Sequence, residues 1–161
     1  MIILVRVDDR LLHGQIICSW VPYLKADALI VASDNAAGDM LTNQIMQACS
    51  CDELSVNVMK LDDAVKCARS SACNGQGRVI LIVGNIRDAL RLHDAGVDFT
   101  SLNLGNVHHE EGGRVVTESV ILNREDDEYI GRLESDGVTI DIRDIPERPP
   151  VKHTHTDGCG R

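Results

Sequence analysis

Aromatic residues are almost missing from this chain, with one Trp, one Phe and two Tyr among 161 residues. So few rings leave neither a stacking platform for bases nor a dedicated cradle for a sugar. Positive charge is scarce as well: 16 Lys and Arg stand against 25 Asp and Glu, for a net charge of −9. That balance excludes the clustered cationic surface nucleic acids require, so no nucleic-acid partner is expected. No apolar run approaches the roughly 20 residues that span a bilayer. The first such run also lacks the basic start and cleavage site of a signal peptide. A cytoplasmic domain follows as the expectation, with any membrane association running through a protein partner. Repeats and heptads are absent.

The six cysteines, Cys18, Cys49, Cys51, Cys67, Cys73 and Cys159, do not form a disulfide framework by spacing. Several fall in helical patterns, where a free cysteine acts as a small apolar residue, and reduced thiols are expected. Cys49-Ser50-Cys51 is too tight for a zinc or redox pair, and no second pair matches it. Neither a metal nor a cofactor is expected.

What the chain does contain is alternation. Ile2 to Val7 is an apolar, β-branched-rich run, the mark of a strand covered on both faces. Gly14 to Leu24 carries apolar residues at helical spacing, interrupted by Pro22. Strand patterns recur at Ala28 to Ala32, Leu54 to Met59, Arg78 to Gly84 and Thr100 to Asn103. Between them lie helical patterns at Met40 to Cys49, from Leu61, and at Arg87 to Ala95 before Gly96. Val115-Val116, Val120 to Leu122, a helix through Tyr129 to Leu133 and Val138 to Ile142 are expected to complete the sheet. The rhythm predicts an α/β fold: an open, mainly parallel sheet with helices packed around it. One domain over 1–145 is expected, with 146–161, proline-bounded and polar, as a flexible tail. Its His153, His155 and Cys159 are weak metal candidates at most.

The first strand runs into Asp8-Asp9-Arg10-Leu11-Leu12-His13-Gly14-Gln15. The loop after such a strand is where open α/β sheets place their chemistry. An imidazole titrates near neutrality, so one ring nitrogen can attack while the other is oriented by a hydrogen bond. Phosphoryl transfer asks mainly for positioned positive charge and donors around three oxygens. Arg6 and Arg10 are the cationic candidates, since a guanidinium can grip one phosphate with two hydrogen bonds. Asp8 or Asp9 either fixes the imidazole tautomer or caps the following helix. Gly14 allows close backbone approach, and the helix beginning there offers unpaired N–H groups.

The loop from Asp8 to Gln15, with Arg6 before it, resembles the phosphorylation motif of the IIB subunits of the mannose/fructose/sorbose-type sugar phosphotransferase system. The resemblance continues through Ile30-Val31-Ala32-Ser33-Asp34-Asn35, Asn103 to His108, and Arg124-Glu125-Asp126-Asp127, to about residue 145. It implies that His13 accepts a phosphoryl group from a IIA phosphohistidine, on Nδ1, and passes it to a sugar held by membrane IIC and IID subunits. It implies an enzyme, a protein-Nπ-phosphohistidine–sugar phosphotransferase component, peripheral to the inner membrane through its partners. A homo-oligomer remains open. Gly105-Asn106 stands where the family commonly has two glycines, with Asn106 expected to keep the turn.

Ser33, Asp34 and Asn35 are either helix caps or part of the site rim, together with Gly105 and His108. His108-His109-Glu110-Glu111 is the competing chemical cluster, but neighbouring side chains in an extended segment point apart. Two other functions compete. One is a phosphorylation-dependent regulator of the same fold without sugar turnover, separable by asking whether the phosphoryl group reaches any sugar. The other is a metal-binding protein using the histidine-rich segments.

Overall fold

The computed structural model of the protein describes residues 1–70, 75, 77–109 and 111–154. Six strands form one sheet: β1 (Ile2–Asp8), β2 (Ala28–Ala32), β3 (Ser55–Met59), β4 (Val79–Val83), β5 (Ser101–Asn106) and β8 (Thr139–Ile142). Their order is β3-β2-β4-β1-β5-β8 and every pairing is parallel. A parallel strand needs cover on both faces, and β2 and β4 are buried at every position.

Alternation along the strands sorts the side chains into two cores. On one face, Val5, Val7, Leu81, Val83, Leu102 and Leu104 pack beneath α4 (Leu61–Arg69), α5 (Ile86–Asp94) and α6 (Arg124–Ser135). On the other, Leu29, Val31, Ile80 and Ile82 meet Ile16 and Trp20 of a π-helical turn (Ile16–Trp20), α2 (Asp34–Gly38) and α3 (Met40–Gln47). The π-turn continues into α1 (Val21–Leu24), where Val21 N–H reaches back to the Ile16 carbonyl and Pro22 sits in the first turn. The interruption expected at Pro22 therefore takes the form of a change in helical pitch.

Helix boundaries follow their caps. Ser33 caps α2, Asp39 caps α3 and Asn85 caps α5, each side chain accepting from a backbone N–H in the first turn. Asn123 and Asp126 form a reciprocal capping box, which starts α6 at Arg124, ahead of the apolar pattern. Gly96, at φ +84°, follows α5.

Two expectations are corrected, on the place of the two strands between β5 and β8 and on the cysteines. β6 (Arg114–Thr117) and β7 (Val120–Leu122) do not extend the sheet; they pair antiparallel with each other and meet it through the bridge Val107–Val120. A short antiparallel pair satisfies its own hydrogen bonds, so the sixth strand is β8 alone. Residues 146–154 are docked on the domain: Val151 N–H donates to the Ile142 carbonyl, Pro146 is buried, and the His153 side chain is 1% exposed. His155 and Cys159 lie outside the described residues. Cys67 is disulfide-bonded, whereas Cys18, Cys49 and Cys51 are free. Spacing in sequence does not reveal which thiols a fold brings to bonding distance.

Candidate functional site

The chain leaves β1 toward β2 and leaves its neighbour β4 toward β5, on opposite sides. Loops that part in this way open a crevice beyond the carboxyl ends of the strands. Leu11, Ser33, Asp34, Asn35, Gly84 and Asn85 line it, with a volume of about 530 Å³. The loop after β1 begins with a turn closed by Leu11 N–H on the Asp8 carbonyl, and Leu11 adopts φ 55°. That left-handed backbone is uncommon for a residue with a branched side chain.

Beneath this loop lies a buried polar row. Leu4, Arg6 and Asp8 share one face of β1, and Arg6 stands opposite Asn103 of β5, which stands opposite Asp141 of β8. Arg6 and Asp8 are both 0% exposed and paired at 2.8 Å. Arg6 Nε also donates to Asp8 Oδ2 at 3.1 Å, while Nη1 donates to Asn103 Oδ1 at 2.6 Å. The guanidinium lies over Trp20, 5.3 Å from the ring centre, with Arg143 over the same ring at 5.5 Å. Burial lowers the Arg6 pKa, opposed by the adjacent Asp8 charge. Arg6 is thus spent inside the protein and orients Asp8; it does not reach the loop surface.

Asp8 gathers the site. Its Oδ2 accepts from Arg6, from Asn106 Nδ2 at 2.9 Å and from His13 Nε2 at 2.9 Å, and its Oδ1 accepts from the Arg10 backbone N–H at 3.1 Å. Burial works against the carboxylate. The His13 hydrogen bond, the Arg6 charge and the Asn106 amide outweigh it and hold the Asp8 pKa below the usual carboxylate range. An ionised carboxylate can only accept, so Nε2 carries the proton that joins the two side chains. His13 Nδ1 has no hydrogen-bond partner among the described residues, and the side chain is 10% exposed.

Asp9 turns the other way and accepts from the His108 backbone N–H and from Nδ1, each at 2.8 Å. His109 Nε2 instead meets Asp126 Oδ2 at 2.6 Å, so the adjacent histidines part. Among the described residues no group of three or more His, Cys, Asp or Glu is placed to hold a metal.

Other expected site residues fall into separate positions. Arg10 is exposed, with no side-chain partner among the described residues. Gly14 is exposed with open space where a Cβ would stand, and Gln15 precedes the π-turn with no side-chain capping bond. Ser33 caps α2, and Asp34 Oδ1 accepts from the Leu61 N–H at 2.9 Å; both border the crevice with Asn35. Gly105 is buried below the site, where a Cβ would overlap the Arg6 guanidinium.

Asn106 is not in a turn. It ends β5 opposite Asp8, where the register slips by one residue at Gly105, and that slip aims its side chain at the carboxylate. Asn103 and Trp20 were not among the expected site residues, and Asn106 was expected at a turn at the site's edge rather than on the Asp8 carboxylate. Only the polar Asn-x-x-Asn spacing after an apolar strand hinted at the two asparagines, and nothing marked the tryptophan.

An open parallel sheet with a carboxylate-held histidine outside the end of an interior strand defines an α/β domain with its polar cluster at the carboxyl ends of the strands. Its family is equally plain. The model of the sorbose subfamily IIB component of the phosphotransferase system (PTS) matches residues 2–155, and the chain belongs to that family. It is 29% identical over 145 residues to the fructose-specific EIIB component of Bacillus subtilis, covering 90% of this chain and 88% of that one. It is 28% identical to the mannose-specific EIIAB component of Escherichia coli, matching 92% of this chain but only 46% of that longer protein. The structure superposes on the IIB domain of the sorbose permease from Klebsiella pneumoniae with a TM-score of 0.86 at 28% identity, over 94% and 93% of the two chains. As a PTS IIB component the chain is a phosphotransferase subunit of sugar transport. Among the described residues no helix is long and apolar enough to cross a membrane.

Proposed function

We propose that His13 is the phosphoryl carrier of this IIB component and that Nδ1 is the atom that bears the group. The observation that carries this is the Nε2–Asp8 hydrogen bond, which leaves the Nδ1 lone pair without a partner among the described residues. In the reaction the Nδ1 lone pair attacks the phosphorus of a IIA phosphohistidine. The new P–N bond forms as the old one breaks, and the departing imidazole keeps the electron pair. His13 retains its Nε2 proton, and the positive charge gained by the ring is met by the Asp8 carboxylate. Arg10 is the cation free to meet the phosphoryl oxygens, supported by the Gly14 and Gln15 N–H groups in the first helical turn. The second transfer passes the group to a sugar hydroxyl held by membrane IIC and IID subunits, with the IIB component cytoplasmic and held at the inner membrane by them. Donor and recipient must reach the same histidine in turn.

The test is incubation with a phosphorylated IIA domain, followed by intact-mass and fragment mass spectrometry under alkaline conditions. One acid-labile phosphate on His13 is expected, absent from the His13→Ala protein. Arg10→Leu should slow acceptance while leaving the urea midpoint nearly unchanged. Phosphohistidine formed in the His13→Ala protein would reject the assignment.

A further inference from the structure

Helix α3 is inverted relative to an ordinary surface helix. Thr42, Asn43 and Met46 face the body of the protein, with Met46 packed on the core, while Met40, Leu41 and Ile45 are 75%, 64% and 61% exposed. A surface helix normally turns its apolar stripe inward, and a cluster of large exposed apolar side chains marks an interaction site. Leu41 and Ile45 are one turn apart and form a continuous stripe, with Met40 beside it.

The position of this helix matters as much as its composition. Asp39 and Thr42, at its start, line the same crevice as Asp9 and Leu11 of the His13 loop. The start of the helix that carries the apolar stripe thus lies at the crevice shared with the loop after β1. The charged residues lining the crevice are Asp9, Asp34, Asp39 and Asp88, and neither Lys nor Arg is among its lining residues. An apolar centre beside an acidic cleft fits a partner with an apolar knob and a basic rim.

We propose that the exposed face of α3 and the adjoining acidic crevice dock the membrane subunits that hold the sugar; this rests on the carrier reading of His13. The cytoplasmic loops of integral membrane proteins carry an excess of Lys and Arg close to the membrane, which complements a cleft lined only by acids. No comparable rule sets the charge of the phosphodonor domain. Docking here would also turn the His13 end of the sheet toward the membrane partner.

The experiment uses the full, unphosphorylated chain and its cosedimentation with proteoliposomes containing the matching IIC and IID subunits, with protein-free vesicles of the same lipid as control. Leu41→Ser combined with Ile45→Ser should weaken binding by about tenfold or more, while phosphoryl acceptance from the IIA domain stays within about twofold and the circular dichroism melt is unchanged. Leu41→Lys should bind less well than Leu41→Glu, because the partner rim is basic. Unchanged binding of the double variant overturns the proposal. So does lost acceptance from the IIA domain with membrane binding kept, which would assign the face to the donor. A self-association in sedimentation equilibrium that the double variant abolishes, with proteoliposome binding unchanged, would assign it to a second copy of the chain. Equal binding to protein-free vesicles would assign it to lipid. Failure of the parent chain to take phosphate on His13 would sink the carrier reading alone, since the docking assay needs no phosphate.

Discussion

Among the histidines held by carboxylates, His13 and His153 differ in how many ring nitrogens are engaged. His13, 10% exposed at its side chain, gives Nε2 to Asp8, and Nδ1 has no partner among the described residues. His153, 1% exposed at its side chain, has both nitrogens engaged, Nε2 with Asp127 at 3.0 Å and Nδ1 with Glu134 at 3.3 Å. The first pairing leaves one ring nitrogen without a partner among the described residues; the second ties His153 to α6. A histidine–carboxylate contact is therefore no sign of chemistry by itself. What distinguishes the site is the unspent nitrogen and the buried, fully hydrogen-bonded carboxylate behind the spent one.

The strongest way to break this contrast is Asp8→Asn, which keeps the shape but removes the charge that meets the His13 ring. Phosphoryl acceptance should fall about 10²–10⁴-fold, by analogy with other carboxylate-oriented histidines, as read by single-turnover transfer from the IIA domain. The same variant tests a pH effect. Because the folded Asp8 pKa is depressed, its stabilising contribution is present above the unfolded value near ~3.9 and is lost as pH falls through the lower folded value. Urea unfolding of the parent should weaken between neutral pH and that acid window more than unfolding of Asp8→Asn; equal losses would discount Asp8.

Removing the other half of the buried pair separates support from chemistry. Arg6→Leu leaves the Asp8 charge without its guanidinium and should cost about 3–5 kcal/mol in urea unfolding. Gly105→Ala forces a methyl group into Arg6 and should cost about 1–3 kcal/mol, with slowed acceptance as the Asp8 carboxylate shifts. An Ala variant as stable and active as the parent would show that Arg6 repacks freely. His153→Ala should give the smallest effect on function: about 1–2 kcal/mol of stability lost with its buried hydrogen bonds, and phosphoryl acceptance changed less than about twofold. A large loss of acceptance there would erase the distinction between the two histidines.

The legible parts of the molecule were those governed by local rules. Buried runs such as Val79–Val83 carry their strand character in adjacent residues, and helix ends carry it in caps such as Asn85 and in Gly96. The loop from Asp8 to Gln15 stood out because charge and histidine interrupt such a run. The β6–β7 pairing and the docking of Val151 join residues close in sequence, but that the pair stays out of the main sheet and that Val151 meets Ile142 depends on how the surrounding elements pack, which no local pattern reveals. The burial of Arg6 against Trp20 was not legible either, since the pattern of β1 does not show what covers its polar face.

Alternation and capping in the amino-acid order by themselves determined the α/β class, the approximate elements and the histidine at the end of the first strand, because each depends on residues within a few positions. Tertiary structure alone decided that Arg6, Asp8, Asn103 and Asn106 meet in one buried network. Those contacts join residues up to 98 positions apart through strand order and a one-residue slip at Gly105. Pairing register is set by how whole strands pack, so the same local pattern could have aimed those side chains elsewhere.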